Sequence, residues 1–263
     1  MSQTETTVET LEVSRSNGVA VVTVNRPEVR NALNRQVLSD LGAVLADLRN
    51  DDAVGAVVFT GAGEKAFVAG ADINQVRGYT MATGLAGAME RAFDEVEAFE
   101  KPTIAAVNGF ALGGGCELAM ACDIRIASSS ARFALPETNL SVLPGAGGTQ
   151  RLARLVGVGR AIEMILTGRL VSALEAERYG LVTSVVEPLE LLDQARATAA
   201  SILAKGPVAV RLAKLVIRAG MDTDLRTGQV IERLAQTILY STDDKVEGTL
   251  AFLEKRTAQF RGR

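Results

Sequence analysis

Two glutamates in glycine-rich surroundings are the residues of this chain best suited to chemistry. Glu117 follows three consecutive glycines, Gly113–Gly115, and Glu137 follows Pro136 shortly before a second glycine-rich run at 145–148. The sequence contains no histidine, so the commonest general base and the commonest metal ligand are both missing. If the chain is an enzyme, carboxylates must move its protons. Backbone N–H groups exposed by glycine and alanine are then its candidate electrophilic partners.

The neighbours of Glu117 argue against a carboxylate on a solvated surface. Leu112 precedes the glycine triplet, and the apolar run 118–121 follows the glutamate. The helix dipole favours an acid in a first turn even where it has no function. This environment is nevertheless too apolar for an exposed face, so we prefer a functional interpretation. Glu137, taken alone, is equally consistent with a loop acid or a helix cap.

Two loops of small residues each follow a predicted buried strand. Ala69-Gly70-Ala71-Asp72 is predicted to be irregular, and Gly113–Gly115 leads into a helix whose first N–H groups lack intrahelical partners. Two such loops can each aim one N–H at a single carbonyl oxygen, although glycines alone are more often plain turns. The run at 61–66 matches a loose dinucleotide fingerprint, but small residues follow where that motif requires a helix. We therefore do not predict a nicotinamide site.

Composition sets the limits on fold and partners. A chain of 263 residues with 48% hydrophobic residues can bury the core of a single α/β fold. Only 4% of the residues are aromatic, so alanine, valine, leucine and isoleucine should fill that core. A net charge of −3 argues against a general nucleic-acid binder, although it leaves room for a local basic patch. Cys116 and Cys122 fit no disulfide or metal spacing and are interpreted as small buried residues in a reducing compartment.

Residues 1–9 form a polar, acidic N-terminal segment. They contain no apolar signal core and no arginine-rich transit sequence. The most apolar stretch, 102–122, is interrupted by the glycine triplet and Glu117, so it is predicted to be strand, turn and helix rather than a membrane span. We expect a cytoplasmic protein with no membrane partner and no nucleic-acid partner.

Strands and helices alternate in the first half of the chain. One predicted helix begins after Asn34 as N-cap, and another carries Leu85, Met89, Phe93 and Val96 on one face. Continuous apolar strands alternating with helices indicate a buried parallel sheet. After about residue 145 the chain is predicted to be mainly helical, with one strand near 181–186. Apolar strands are predicted at 11–14, 19–24, 56–60, 103–107, 124–127 and 131–134.

Short motifs occur in a specific order along almost the whole chain. They are Asn25-Arg26-Pro27, Asn31-Ala32-Leu33-Asn34, Ala66 to Ile73, Ala105 to Glu117, Pro144 to Arg151, Leu166-Thr167-Gly168 and Ala251 to Arg256. In this order the motifs resemble the enoyl-CoA hydratase/isomerase (crotonase) family, from about residue 10 to residue 260. The joint pattern is specific to the family and less specific to the reaction of one member.

The resemblance implies an α/β fold of three parts. A crotonase-like spiral of ββα units with the active site would occupy residues 10–195, behind the polar segment at 1–9. A helical region at 196–263 would mediate trimerisation. The implied assembly is a homo-trimer or a homo-hexamer built as a dimer of trimers.

The resemblance also implies a reaction. Backbone N–H groups matching Ala71 and Gly114 form the family's oxyanion hole for an acyl-CoA thioester. Members that hydrate 2-enoyl-CoA carry two glutamates, which match Glu117 and Glu137. By this resemblance Glu117 orients and deprotonates water for attack at C3, and Glu137 delivers a proton to C2. Such a lyase of fatty-acid and lipid metabolism needs no metal and no cofactor, because coenzyme A is part of the substrate.

Further residues are predicted to contact the substrate or its coenzyme A. Family members often carry a basic residue after Asn-Arg-Pro and another after Ala-Asp-Ile, whereas Glu28 and Asn74 occupy these places here. Arg30 and Lys65 lie nearby in sequence and are the alternative cations for the phosphates. The complete predicted set is Arg30, Ala32, Lys65, Ala69, Asp72, Ile73, Gly145, Phe252 and Lys255.

Two other functions compete with hydration. One is Δ3-Δ2-enoyl-CoA isomerisation or another enolate reaction on the same fold, since a fold does not determine function. The other is RNA binding by a protein of this fold, which would need a helix rich in lysine and arginine. The first long predicted helix, 35–50, instead has Asp40 and Asp47 against Arg35 and Arg49. The pair of glutamates favours the hydratase.

Overall fold

The computed structural model describes the backbone of residues 4–263 and the side chains from residue 8 onward. Residues 1–3 of the predicted N-terminal segment lie outside this part. The strands are β1 (Thr4–Thr7), β2 (Leu11–Ser16), β3 (Val19–Val24), β4 (Ala56–Gly61), β5 (Ala66–Val68), β6 (Thr103–Val107), β7 (Phe110–Leu112), β8 (Ile124–Ser128), β9 (Arg132–Ala134), β10 (Val171–Ser172) and β11 (Ser184–Val186).

The helices lie between and after these strands. They are α1 (Arg35–Asn50), α2 (Ile73–Val76), α3 (Met81–Ala86), α4 (Ala88–Glu97), α5 (Gly114–Ala121), α6 (Gly148–Val156), α7 (Val158–Thr167), α8 (Ala173–Tyr179), α9 (Leu191–Leu203), α10 (Pro207–Met221), α11 (Leu225–Tyr240) and α12 (Asp243–Glu254). Short 3₁₀ turns cover Pro27–Val29, Glu137–Leu140 and Pro188–Glu190.

The strands form two sheets. The larger sheet has the order β1-β2-β3-β4-β6-β8-β11, and the smaller has the order β10-β9-β7-β5. Strands β1 to β3 pair antiparallel, whereas β3, β4, β6, β8 and β11 pair parallel with their neighbours. The predicted strands at 11–14 and 19–24 fall in β2 and β3, which pair in a register that places Val13 opposite Val22.

The connectivity repeats a ββα unit. The pairs β4–β5, β6–β7 and β8–β9 each place their first strand in the larger sheet and their second strand in the smaller one. Each pair is followed by a helical segment. The chain therefore winds as a spiral, and the predicted crotonase-like α/β fold is confirmed.

Aliphatic side chains fill the core on both faces of the larger sheet. On one face β3, β4 and β6 pack against α1, α4, α5 and the smaller sheet. On the other face Leu191, Ala195 and Ala199 of α9 cover Val58 and Ile104. Because the central strands are buried on both faces, they carry continuous apolar runs.

The helices beyond α9 form the C-terminal region. Helices α10 and α11 pack against each other, and many of their large apolar side chains are exposed, among them Leu215, Leu234 and Ile238. The predicted boundary between residues 195 and 196 lies inside α9, and the division into domains stays a prediction. Among the described helices, none combines the length and the apolar character required to cross a membrane.

One predicted helix is interrupted. Leu85 and Phe93 were expected on one continuous helix, but Gly87 adopts a left-handed φ of 53° and separates α3 from α4. Phe93 and Val96 are buried as expected, whereas Leu85 on α3 is 82% exposed. Helical spacing is therefore informative for α4 and misleading for α3, where glycine ends the helix.

Candidate active site

Glycines allow the start of helix α5 to pack tightly in the site. Gly113 precedes the helix with a φ of 49°, and a side chain there would begin 2.7 Å from Oε1 of Glu137. At Gly115 a Cβ atom would lie 1.9 Å from the carbonyl oxygen of Val68 on β5. These close approaches require glycine and bring Glu137 and the end of β5 against the helix start.

Glu117 lies in the first turn of α5 and is only 2% exposed. Its Oε1 accepts hydrogen bonds from the N–H groups of Ala146 and Gly148, each at 2.8 Å. Burial raises the pKa of Glu117 above its ordinary value, while these two hydrogen bonds and the charge of Arg151 oppose the rise. The second glycine-rich run thus fixes the orientation of the carboxylate, and an oriented carboxylate can act as a general base.

Glu137 begins the 3₁₀ turn Glu137–Leu140 and is only partly buried. Its Oε2 atom is buried and has no hydrogen-bond partner within the described residues. Burial raises the pKa of Glu137 to about 7, and the negative charge of Glu117 contributes to the rise. A carboxyl group with this pKa is partly protonated at neutral pH and can act as a proton donor.

The loop after β5 is held by backbone hydrogen bonds to residues 30–33. The N–H of Leu33 donates to Gly70, the N–H of Asp72 donates to Leu33, and the N–H of Ala69 donates to Arg30. Gly70 has a φ of 94°, and a side chain there would begin 3.2 Å from the carbonyl oxygen of Leu112. The loop therefore lies directly against the end of β7, which precedes the glycine triplet.

Two N–H groups at these loops are free to bind a ligand oxygen. In the described part of the chain, neither the N–H of Ala71 nor that of Gly114 donates a hydrogen bond to the protein. The bridge between Leu33 and Ala71 uses the carbonyl oxygen of Gly70, which accepts from the N–H of Leu33, and the N–H of Asp72, which donates to Leu33. Gly114 is the first residue of α5, so helix geometry leaves its N–H without an intrahelical acceptor.

The backbone pairing brings five of the other predicted site residues together. Asp72 caps α2 by accepting from the N–H of Asn74 at 3.0 Å, and Ile73 beside it is 58% exposed. The five residues that lie along the two paired segments or at their ends are Arg30, Ala32, Ala69, Asp72 and Ile73.

The remaining predicted residues lie in three other places. Gly145 is exposed and immediately precedes Ala146, whose N–H binds Glu117. Lys65 is exposed in the loop between β4 and β5. Phe252 on α12 is 83% exposed, and Lys255 is the left-handed C-cap of that helix. Within the described residues, neither Phe252 nor Lys255 forms a hydrogen bond or ion pair with the loops around Glu117.

Sequence reasoning gave no role to two side chains that shape the site. Arg26 donates to the carbonyl oxygen of Ala32 and lies 4.0 Å from the carboxylate of Asp72, so it clamps the two paired segments together. Asn108 donates to the carbonyl oxygens of Gly61 and Gly63 at 2.9 and 2.8 Å. The motif Asn-Arg-Pro and the pair Asn108-Gly109 were the signals available for them.

The glycine run resembling a dinucleotide motif is a turn between two strands. Residues 61–66 connect β4 to β5, so the helix that such a motif requires is replaced by a strand. No group of three or more His, Cys, Asp or Glu side chains suited to a metal ion occurs in residues that the structure describes. Cys116 and Cys122 are buried free thiols, and burial raises the pKa of Cys116.

Comparison with known proteins gives concordant results for sequence and structure. Residues 14–263 match the family model described as enoyl-CoA hydratase/isomerase. The chain is 49% identical to a short-chain-enoyl-CoA hydratase of Clostridium acetobutylicum, over 93% of this chain and 94% of that protein. It is 47% identical to a crotonyl-CoA hydratase of Syntrophomonas wolfei, over 96% and 98%. The crystal structure of an enoyl-CoA hydratase from Bacillus anthracis superposes with a TM-score of 0.93 at 43% identity, covering 97% of this chain and all of that one.

Proposed function

The chain belongs to the enoyl-CoA hydratase/isomerase family, and from this premise we propose that it is an enoyl-CoA hydratase. It adds water reversibly across the 2,3 double bond of a 2-enoyl-CoA thioester and yields the 3-hydroxyacyl-CoA. One observation carries the proposal. A buried carboxylate and a half-buried one flank the start of helix α5: Glu117 is fixed by two N–H donors, whereas Glu137 has a buried oxygen without a partner among the described residues.

The two glutamates divide the proton transfers. Glu117 orients a water molecule and takes its proton as the oxygen attacks C3. Glu137 delivers a proton to C2. This division is supported by the environments of the two groups. Two N–H donors stabilise the ionised form of Glu117 against the effect of burial, whereas burial raises the pKa of Glu137 to about 7.

The free N–H groups of Ala71 and Gly114 bind the thioester oxygen. As water adds, negative charge develops on this oxygen, and both hydrogen bonds strengthen. They therefore lower the barrier rather than only binding the substrate. Hydration is redox-neutral, so the reaction requires no nicotinamide or flavin. The proposed glutamates and N–H groups supply the proton transfers and the electrophilic contact without a metal, and coenzyme A enters only as part of the substrate.

The proposed substrate contacts lie partly around this site and partly in the C-terminal region. This chain has Glu28 and Asn74 where family members often carry basic residues. Arg30 and Lys65 bind the coenzyme A phosphates instead. Phe252 and Lys255 contact coenzyme A from the C-terminal region of the assembled enzyme. The other proposed contacts are Ala32, Ala69, Asp72, Ile73 and Gly145. The names of the two relatives above support a short acyl chain, with crotonyl-CoA as the first substrate to test.

The enzyme assembles as a homo-trimer or as a dimer of trimers, and it works in the cytoplasm. The exposed apolar side chains of α10 and α11 support assembly, because an isolated chain would leave them in water. The two buried, unpaired cysteines support a reducing compartment.

The proposal is tested by assaying the purified protein, without added cofactor, on 2-enoyl-CoA thioesters of increasing chain length. Loss of the conjugated thioester absorbance reports hydration, and chromatography identifies the product. We expect 3-hydroxyacyl-CoA, formed fastest from short chains. A parallel assay with 3-enoyl-CoA measures isomerisation. If isomerisation is the faster reaction, the isomerase becomes the better assignment.

A further inference from the structure

Arg151 makes a set of contacts that no proposed catalytic step uses. It lies on helix α6 and is only 9% exposed. Its Nη1 donates to the carbonyl oxygen of Ala146 at 2.9 Å. Its Nε and Nη2 donate to Oε2 of Glu97 at 2.8 and 2.6 Å, and Nη2 also donates to Asp94 at 2.6 Å. A buried guanidinium with this many partners has essentially one orientation.

Ala146 connects this arginine to the site. The N–H of Ala146 donates to Oε1 of Glu117 at 2.8 Å, while its carbonyl oxygen accepts from Arg151 at 2.9 Å. One residue is therefore held from two sides, by Glu117 on one and by Arg151 on the other. Displacing Arg151 frees the backbone that orients the carboxylate.

Two glycines make room for this arrangement. A side chain at Gly147 would begin 2.1 Å from Nη1 of Arg151, and one at Gly148 would begin 2.7 Å from Oε1 of Glu117. Gly147 also has a φ of 90°, which side chains rarely adopt. The glycine run after Pro144 is thus shaped around the guanidinium as well as around the carboxylate.

The far side of Arg151 is anchored to the C-terminal region. Glu97 on α4 also accepts from Arg218 on α10. Arg218 and Lys214 both pair with Asp123, at 3.0 and 2.7 Å. Because α4, α6 and α10 meet in this network, Glu97 is held in place and can hold Arg151 in turn.

We propose that Arg151 is a positioning residue for the reaction: through Ala146 it fixes the orientation of the Glu117 carboxylate, and its positive charge favours the ionised form of that carboxylate. This inference rests on the proposed function and extends it, because it assigns Arg151 no contact with the substrate.

Several charged or titratable groups act on Glu117 from the surrounding elements. Arg151 on α6 lowers the pKa of Glu117, and Glu90 on α4 raises it. Glu137 interacts with Glu117 across the site, and Cys116 adjoins it on α5. Loss of Arg151 should therefore raise the pKa of Glu117. Loss of Glu97, which neutralises Arg151, should lower that pKa.

The test compares Arg151→Gln, Arg151→Lys and Glu97→Gln with the unmodified enzyme in crotonyl-CoA hydration. For Arg151→Gln we expect kcat to fall by about 10–10²-fold with KM nearly unchanged, since a misdirected base slows only the chemical step. The acid limb of its pH profile should move upward by about one unit. Arg151→Lys should recover part of kcat and return the acid limb. Glu97→Gln should move the limb downward.

Arg49→Gln is the matched control. Arg49 pairs with Glu95 on α4 at 3.6 Å and with Glu100, just after α4, at 3.3 Å, and among the described residues it forms no hydrogen bond with Ala146. We expect a wild-type acid limb for this variant. Titration of the Glu117 carboxylate by infrared difference spectroscopy, referenced to Glu117→Gln, gives the same pKa without any assay of activity.

Two results would overturn the inference. One is a folded, assembled Arg151→Gln enzyme with wild-type kcat and an unmoved Glu117 pKa. The other is a loss of activity that follows loss of stability, with no pKa change and no rescue by lysine. If Arg151→Gln fails to fold, the pKa of Glu117 in Glu97→Gln tests the inference: a lower pKa supports it, and an unchanged or higher pKa overturns it. An unmodified enzyme that hydrates no thioester refutes the proposed function instead, while the infrared titration still tests the role of Arg151.

Discussion

Glu117 and Glu137 flank the start of helix α5, and their carboxylate groups differ in the hydrogen bonds that they accept. Oε1 of Glu117 accepts from two backbone N–H groups at 2.8 Å, whereas Oε2 of Glu137 is buried without a partner in the described part of the chain. Environments that differ in this way separate the tasks of two chemically identical side chains. The contrast supports one proton acceptor and one proton donor.

The pH dependence of hydration should reflect both groups. The proposed division of proton transfers requires Glu117 to be ionised and Glu137 to be protonated. Because the pKa of Glu137 is raised to about 7, kcat/KM for crotonyl-CoA should fall as the pH rises above that value. It should also fall at low pH, as Glu117 becomes protonated. Initial rates measured from pH 5 to pH 9 provide the check, and the two apparent pKa values belong to the coupled pair. A rate that stays constant through the alkaline range contradicts the role of Glu137 as donor.

Replacement of Glu137 by glutamine should stabilise the protein at alkaline pH. The folded-state pKa of about 7 lies above the ordinary value of 4.5, so the folded state binds more protons than the unfolded state between these values. Stability is therefore lost as the pH rises through this window. Solvent screening of a half-buried group leaves a cost of about 1 kcal/mol at pH 8.

The corresponding measurement is thermal unfolding of Glu137→Gln and the unmodified protein at two pH values. The variant should unfold about 2–4 °C higher at pH 8. The difference should disappear near pH 4.5, where the carboxyl group is protonated in the folded state. An equal difference at both pH values shows that packing, rather than ionisation, is responsible.

Replacement of Ala71 by proline should remove one donor of the proposed oxyanion hole. The structural hydrogen bonds of this loop use the N–H groups of Leu33 and Asp72, so the substitution removes no backbone bond of the fold. We expect kcat to fall by about 10²–10³-fold. Circular dichroism and sedimentation establish that the variant is folded and assembled. A well-folded variant with nearly normal turnover excludes the N–H of Ala71 from catalysis.

The exposed apolar surface of the C-terminal helices should be covered by further copies of the chain. Three apolar side chains of α11 are exposed: Val230 by 43%, Leu234 by 59% and Ile238 by 55%. An apolar patch of this kind on a protein surface is typical of an interface with another chain. Analytical ultracentrifugation should find a trimer or a hexamer at micromolar concentration. Leu234→Glu should shift this distribution toward smaller species, whereas Glu232→Gln, on the same helix, should not. A stable, active monomer contradicts the proposed assembly.

The sequence predicted those features that depend on residues close together in the chain, such as helix caps and burial. Asn34 caps α1 by accepting from the N–H of Val37, as its position before an apolar helix indicated. The apolar neighbours of Glu117 correctly predicted that it is buried. The turn at Gly87 was missed, because helical spacing continues across it while the backbone does not.

Contacts between distant residues were beyond such reasoning. The partners of Glu117 lie 29 and 31 residues away, and Glu97 lies 54 residues from Arg151. The position of Glu137 beside Gly113 results from the pairing of β7 with β9. From the sequence, the proximity of these residues could be inferred only from the family resemblance. That resemblance assigned no function to Arg151.

The most direct test of the two-glutamate hydratase replaces Glu117 and Glu137 singly by glutamine and measures crotonyl-CoA hydration. Each change keeps size and hydrogen bonding but prevents proton exchange, so each should lower kcat by at least about 10²-fold with thioester binding nearly intact. The double variant should lose less than the product of the single losses. Glu95→Gln on the exposed face of α4 is the control and should retain full activity. One inactive and one nearly normal glutamine variant, with 3-enoyl-CoA consumed faster than crotonyl-CoA is hydrated, would contradict the account and identify an isomerase.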